Sequence, residues 1–390
     1  MSAVNRILSN LKGDKSIWMI VILFGFFSMW SVYSSSPLIA AKEPGGTTTT
    51  FLFKQIVIVA CGWFLTYLAY RVNYSRYSQL ASALLVSAII LLVLTLVIGR
   101  EAAGAKRWLS LPVIGLSFQT SDFGKLALVI YSAKVITSHQ DNIKHFYQAF
   151  LPIILPIMAV CGLILPADLS TALILFTVCM AMMLVGRLEI KYLVTVVIAG
   201  AVLFALVLFI GKIFPVLNVR VETWISRISQ FMDTSVEDYQ SVRAKIAIAR
   251  GEYFGRGPGN SIMRTMLPSS FADYIFATIL EEYGLFGAFF VLGLYLLLLF
   301  RTVALVTKTT RTFGAMLAFG CCLLIVIQAL ANMSIAVNLV PVGGITLPFL
   351  SSGGTSYWFM SIALGIILSV SRQTEKDQRE LAAETNTETT

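Results

Sequence analysis

One carboxylate stands apart from the rest of the chain's charge. Asp273 lies in Ser270-Phe271-Ala272-Asp273-Tyr274-Ile275-Phe276, where a connection containing Pro268 runs into a long apolar stretch. An ionisable group at the edge of a membrane-grade apolar segment is costly to keep, which makes it a candidate for function. Partial burial there raises a carboxyl pKa toward the range that suits a general base. The alternative role is a helix-start aspartate that satisfies free backbone donors. Glu281 and Glu282 follow eight and nine residues later, about two turns along the same predicted helix. As a like-charged pair they need basic partners or protonation, so a structural network and a binding role are both open.

Cationic and aromatic residues gather in two other places. Gly104-Ala105-Lys106-Arg107-Trp108-Leu109 sets two bases beside an indole, a combination that suits a phosphate and a sugar ring. The same three residues would serve equally as an interfacial Trp anchor with snorkelling bases. Asp122 and Lys125 are three apart at a predicted helix start and can pair on one face, while Lys125 can also reach an anionic ligand. Farther on, the stretch from Gln240 to Arg250 reads as a helix with Arg243 and Arg250 on one face, a spacing able to hold a diphosphate. Gly251, Gly255, Gly257 and Gly259 come next, either for close backbone approach or as a flexible connector.

The elements that position these groups follow from composition. Of 390 residues, 57% are hydrophobic and only 13% charged, with mean hydropathy +0.82. Such a chain must use lipid as part of its solvent, and its fold class is an all-α polytopic transmembrane bundle of about ten spans. Apolar runs place them near 17–36, 53–70, 79–98, 122–138, 149–165, 169–186, 191–213, 273–300, 313–337 and 353–371. Arg71, Arg76, Lys134, Lys144, Arg187, Lys191, Arg301, Lys308 and Arg311 crowd the short connections of one side, with Arg6, Lys12, Lys15, Arg372, Lys376 and Arg379 beside the first and last spans. The short connections of the other side hold only Lys42, Arg100, Lys106 and Arg107. This asymmetry predicts that both termini are cytoplasmic and that the segment 99–121 and a long loop of about 214–272 face outward. Within the long loop, Val221, Trp224, Ile225, Ile228 and Phe231 recur at helical spacing, as expected for a helix lying in the membrane interface.

The formal charge of +9 reflects this topology rather than nucleic-acid binding. All five cysteines lie in apolar stretches, and the two histidines, His139 and His145, fall in one polar connection, so neither a disulfide framework nor a zinc site is expected. Near the carboxyl end, Pro341 to Ser356 is too rich in glycine and polar residues for a lipid-facing helix and must line a cavity or re-enter. Residues 1–372 form one membrane domain, and the polar tail 373–390 is expected to be disordered.

Taken together, Lys106-Arg107-Trp108, Gln119 to Lys125, Pro166 to Ala172, Tyr239-Gln240-Ser241, Asp273 to Glu282 and Gly344 to Phe349 resemble the SEDS family (shape, elongation, division and sporulation) of FtsW and RodA type. The similarity covers nearly the whole chain. It implies a peptidoglycan glycosyltransferase that polymerises lipid II on the outer face of the bacterial cytoplasmic membrane, with undecaprenyl diphosphate leaving and Asp273 as the essential carboxylate. It further implies substrate contacts from Lys106, Arg107, Trp108, Lys125, Arg243, Arg250, Glu281 and Glu282. A class B penicillin-binding transpeptidase, other divisome or elongasome membrane proteins and membrane lipid are the implied partners, and a magnesium or manganese ion the implied cofactor. Asp122 stands where the family more often has Glu, Thr120 where it has Pro, and Phe271-Ala272 where His-Thr precedes the Asp. Gly13-Asp14-Lys15-Ser16-Ile17-Trp18 and Tyr33-Ser34-Ser35 are similar to the division-type branch. The competing function is a lipid II flippase, which should show a polar track through the bundle. Here the charges near apolar spans gather toward the outer half.

Overall fold

The computed structural model describes residues 12–35, 47–102, 105–111, 116–140, 146–213, 215–232, 239–261, 273–351 and 354–388. In chain order its helices are α1 (Lys15–Ser35), α2 (Thr48–Arg71), α3 (Tyr74–Ile98), α4 (Thr120–Ser138), α5 (Leu151–Ile164), α6 (Leu169–Val185), α7 (Ile190–Ile213), α8 (Pro215–Met232), α9 (Tyr239–Gly251), α10 (Ile275–Val306), α11 (Thr312–Ala336) and α12 (Gly354–Glu388). All but α8 and α9 occupy the ten apolar segments picked out by hydropathy. A π-helical turn, Phe146–Phe150, leads into α5.

Seven of these helices are long and apolar enough to cross a membrane: α1, α2, α3, the π turn with α5, α10, α11 and α12. α6 and the Ile190–Leu206 part of α7 are shorter apolar helices. α4 buries Asp122 and Lys125 along its core-facing side. Large apolar side chains such as Phe64, Ile90, Val97, Val202 and Phe209 point outward, where only hydrocarbon can solvate them. The protein is therefore a polytopic membrane bundle, with α11 and α12 among its most enclosed helices.

Local chemistry sets several helix starts. Thr47 caps α2 by accepting from Thr50 N, Asn73 caps α3 by accepting from Ser75 N, and Asp168 caps α6 by accepting from Thr171 N. α2 and α12 pack closely because Gly365 opposes the Thr66 carbonyl, and Thr66 Oγ1 donates to Ser361 O at 3.0 Å.

Two features depart from the sequence reading. The segment after α3 folds into a three-stranded antiparallel sheet, β1 (Arg100–Ala102), β2 (Ala105–Leu111) and β3 (Leu116–Gln119), in that order. It is too short to register as a strand pattern beside long helical runs. The tail expected to be disordered continues α12 as helix through Glu388. Ion pairs one turn apart, Arg379 with Glu375 and Lys376 with Glu380, support it, and Glu375 Oε2 accepts from Gly13 N at 2.7 Å. Residues 389–390 lie outside the described residues, as do Lys42, Gly104, Lys144, His145, Pro268 and Phe271-Ala272.

The glycine-rich segment after α9 is a tight turn whose backbone closely approaches α10, the first of the two roles open to it, and not a flexible connector. Gly255, Gly257 and Gly259 have φ of 77°, 90° and 78°, open to glycine and strained for other residues. α9 itself lies on α10 through Ser241, Ala244, Ala247 and Gly251, and a Cβ on Gly251 would come 2.0 Å from Leu280 O. Gly251→Ala should therefore lower stability by roughly 1–3 kcal/mol through overpacking. Gly293→Ala, whose Cβ meets nothing within 4 Å, should gain up to about 1 kcal/mol from helix propensity. Thermal unfolding of the two purified variants in detergent reads the difference; equal midpoints would contradict the tight contact.

Candidate functional site

The site is built on backbone that is not helical. Pro341 to Leu347 runs without regular structure between α11 and α12, with Gly343, Ile345 and Leu347 buried. Inside a membrane bundle every polar group of such a segment needs a partner. Two amides one turn apart on α11 supply them. Asn332 Nδ2 donates to Ile345 O at 2.7 Å, and Gln328 Nε2 donates to Thr346 O at 3.0 Å. Leu347 N donates to Ser351 Oγ at 2.8 Å, and the Tyr295 hydroxyl donates to Pro348 O. Gln328 is oriented in turn by Lys125 Nζ, 2.9 Å from its Oε1, and Lys125 pairs with Asp122 at 2.7 Å.

Asn332 also donates to Asp273 O at 2.8 Å, tying the start of α10 to the same segment. Asp273 precedes Tyr274, the N-cap of α10, which makes no side-chain capping bond. The carboxylate of Asp273 is thus not the cap, and it faces the irregular segment. A Cβ on Gly344 would lie 4.0 Å from Asp273 Oδ2 and 3.3 Å from Arg107 Nη1, so glycine leaves the space between the two charges open.

Arg107 is delivered by an irregularity in the sheet. Arg100 pairs with Trp108 while Glu101 pairs with Lys106, so Arg107 is the extra residue of a β-bulge, a device that re-aims a side chain. Its Nε donates to Ala167 O at 2.8 Å, and its Nη1 lies 3.6 Å from Asp168 Oδ2. Asp168 spends its Oδ1 on capping α6, accepting from Thr171 N at 3.1 Å. Burial raises the pKa of Asp273 to about 6, helped by the like charge of Asp168 and opposed by Arg107 and by Arg227 of α8. The result is a proton acceptor poised near neutrality beside two guanidinium groups.

The other expected site residues divide between this centre and other places. Lys106 Nζ donates to Val97 O at 2.9 Å, and Trp108 sits half-buried on β2 opposite Gln119. Lys125 is enclosed in its pair with Asp122, one layer behind the site. Arg243 lies 5.0 Å over the ring of Tyr239. Arg250, Glu281 and Glu282 form a second cluster. Arg250 Nε lies 3.9 Å from Glu281 Oε1, and Glu281 Oε2 accepts from Ser261 Oγ at 2.5 Å. Glu282 Oε1 accepts from the Ser34 hydroxyl and from Gly259 N at 3.1 Å. These glutamates fasten the glycine turn to α10 next to its break at Gly284, where φ is 65°.

Four members of the site are absent from the contacts expected from sequence: Asp168, although it lies in the Pro166 to Ala172 stretch that carries the resemblance, Arg227, Gln328 and Asn332. Gln328 and Asn332 carry a usable signal, since side-chain amides four apart in an otherwise apolar helix must meet polar backbone. Asp168 stands between two apolar runs, and Arg227 is hidden in the amphipathic pattern of α8. Among the described residues, no group of three or more His, Cys, Asp or Glu side chains is placed to hold a metal ion.

Comparison with known proteins gives a consistent picture. A family model for the FtsW, RodA and SpoVE type, described as cell cycle protein, matches residues 14–376. A probable peptidoglycan glycosyltransferase FtsW of Hydrogenovibrio crunogenus is 31% identical over 352 residues, covering 89% of this chain and 88% of that protein. A probable peptidoglycan glycosyltransferase FtsW of Bacillus subtilis is 30% identical, covering 92% and 90%. Among solved structures, a chain from a peptidoglycan synthase complex that coordinates polymerization and crosslinking superposes with TM-score 0.74 at 25% identity, covering 93% of this chain and 98% of that one. The rod shape determining protein RodA of Thermus thermophilus gives TM-score 0.68 at 25% identity, covering 94% and 99%.

Asn332→Leu keeps the volume but removes both donations, leaving the carbonyls of Asp273 and Ile345 unpaired. The expected cost is roughly 1–3 kcal/mol for each group left unsatisfied. It should appear as a lower unfolding midpoint and faster amide exchange across Gly343 to Leu347. Wild-type exchange rates in that stretch would mean that other donors replace the amide.

Proposed function

Because the chain belongs to the FtsW, RodA and SpoVE family of cell cycle proteins, we propose that it is a peptidoglycan glycosyltransferase that polymerises lipid II for septal wall synthesis. The observation that carries this reading is Asp273, a half-buried carboxylate with a pKa of about 6, set opposite Arg107 across Gly344. Its chemistry follows from the substrate. The acceptor GlcNAc 4-hydroxyl forms a bond to the MurNAc anomeric carbon of the donor strand as the bond from that carbon to the diphosphate oxygen breaks. Asp273 takes the hydroxyl proton, and the electron pair leaves on undecaprenyl diphosphate. Arg107 and Arg227 offset the charge that develops there. A base of this pKa is mostly ionised at neutral pH yet strong enough to assist, the compromise that general-base catalysis favours.

The same reading places the site at the outer face of the bacterial cytoplasmic membrane with both termini in the cytoplasm, supported by the crowding of Lys and Arg on the opposite side. It also assigns a class B penicillin-binding transpeptidase as partner, supported by the likeness to a chain of a peptidoglycan synthase complex. A magnesium or manganese ion would draw most of its ligands from diphosphate oxygens and water, as suits a hard cation. Among the described residues, Asp273 and Asp168, close enough for their like charges to interact, are the carboxylates that would hold it.

Asp273→Asn keeps shape and removes basicity. Incubated with lipid II and the transpeptidase partner, the purified variant should make roughly 10²-fold less glycan polymer, or less still, with an unfolding midpoint no lower than that of the wild type. Long strands at near wild-type rate would overturn the assignment.

The pH profile gives an independent check. The base works when ionised, so polymerisation should rise as pH increases through about 6 and be lost below it. Arg107→Gln removes a cation that lowers this pKa, so its acid limb should move to higher pH. Asp168→Asn removes a like charge and preserves the helix cap, so its limb should move to lower pH. Initial rates across pH for the three proteins test the order; coincident limbs would exclude Asp273 as the titrating base.

A further inference from the structure

At the opposite end of the bundle, a polar cavity gathers cations. It measures ≈ 390 Å³ and is lined by Lys12, Tyr67, Tyr70, Arg71, Arg372, Gln373 and Lys376. The 25-residue helix α3 begins at this end and runs to the sheet that carries Arg107, so about 37 Å separates the cavity from the Asp273 site. It plays no part in the chemistry proposed there.

The cations are held in place by the fold. Arg372 stacks its guanidinium 4.8 Å over the face of Tyr70, whose other contacts include the edge-on Trp18 ring at 5.2 Å. Arg372 Nη2 donates to Arg71 O at 3.3 Å, and Arg71 Nη1 donates to Tyr67 OH at 3.2 Å. Ser369 Oγ donates to Val72 O at 2.5 Å, which fixes the end of α2 against α12. The nearby carboxylates are engaged elsewhere. Glu375 accepts from Gly13 N and pairs with Arg379, and Asp377 accepts from Gln373 Nε2 at 2.9 Å. Lys376 meets Glu380 at 3.5 Å in an exposed pair. Among the described residues, Lys12, Arg71 and Arg372 form no ion pair. Three converging cations with no carboxylate among them repel one another, and a multivalent anion would reverse the sign of that interaction. Tyr67, 41% exposed on the lipid-facing side of α2, provides an apolar flank for the anion's attached chain.

We infer that this cavity binds the headgroup phosphates of an anionic glycerophospholipid from the leaflet that borders the start of α1, the end of α2 and the Arg372 turn of α12. A basic pocket between membrane helices at the headgroup level suits such a ligand, with the arginines taking phosphate oxygens and Tyr67 lying along the acyl chain.

The test titrates the detergent-purified protein with diphosphatidylglycerol and, separately, with phosphatidylcholine of the same chains, and counts bound lipid by native mass spectrometry. Wild type should retain diphosphatidylglycerol selectively. Arg71→Gln with Arg372→Gln should weaken it at least about tenfold while phosphatidylcholine adducts stay unchanged. Lys12→Gln with Lys376→Gln, which leaves the stacked arginines in place, should weaken it in the same direction and guards against a misfolded first variant. Equal retention of the two lipids, or full retention by both double variants, would overturn the proposal. Displacement of the lipid by an equimolar amount of inorganic diphosphate would also overturn it, since the ligand would then be a soluble anion.

Discussion

Backbone in a membrane interior must be fully paired, and in this protein that demand falls on two side-chain amides. Gln328 and Asn332 project from one face of α11 and satisfy the carbonyls of a segment that could not otherwise exist at that depth. Everything chemically distinctive is referred to them. Behind them, the enclosed Lys125–Asp122 pair sets the rotamer of Gln328. In front, Asn332 grips the Asp273 carbonyl, so the residue with the displaced pKa is held by its main chain while its carboxylate faces Arg107 across Gly344. An ion pair so enclosed adds little net stability by itself, but losing one member would leave the other charged and unsolvated. Its value here is orientation.

The electrostatics of Asp273 are a balance, not a single strong interaction. Burial and Asp168 push toward the protonated acid, while Arg107 and Arg227 push toward the carboxylate, and the outcome sits close to neutrality. A folded-state pKa above the unfolded value means that this group contributes stability below about pH 4, and that the contribution is lost as pH rises through about 6. At working pH the protein holds a destabilising charge in exchange for reactivity. The four groups come from four separate parts of the chain: a strand, a helix cap, the amphipathic helix α8 and the start of a span. Small shifts of any of these would retune the base.

Much of this was legible in the sequence, for identifiable reasons. Long apolar runs report helices that face hydrocarbon, so the ten segments and the all-α class emerge directly. Asp273 was visible because an isolated carboxylate at the mouth of a span has few innocuous explanations. Pro341 to Ser356 was visible because glycine and polar residues cannot face lipid as helix. What stayed hidden depends on pairing between distant segments. Nothing in Lys106-Arg107-Trp108 announces that a bulge singles out Arg107 or that Asp168 lies 3.6 Å away. For Glu281 and Glu282 the sequence leaves a structural network and a binding role both open, and only their partners, Ser261, Ser34 and Gly259, reveal the network, a clamp around a turn. The tail reads as disordered by composition, and its helix is supported by the contact of Glu375 with Gly13 and by ion pairs one turn apart.

The break in α10 at Gly284 has a further implication. On either side of it, Arg256 N and Gly257 N donate to the carbonyls of Glu281 and Glu282, while Leu285 N and Phe286 N donate to those of Glu252 and Tyr253. The turn and the broken helix therefore exchange main-chain bonds in a fixed residue-to-residue correspondence, as neighbouring strands do. Surface loops usually absorb insertions at small entropic cost, but this one has a register. Adding or deleting a residue between Glu252 and Gly257 would misalign every bond beyond it, as a one-residue slip does in a sheet. Divergence in this part of the molecule is then confined to substitution, and change of length is pushed outward to segments that make no such exchange.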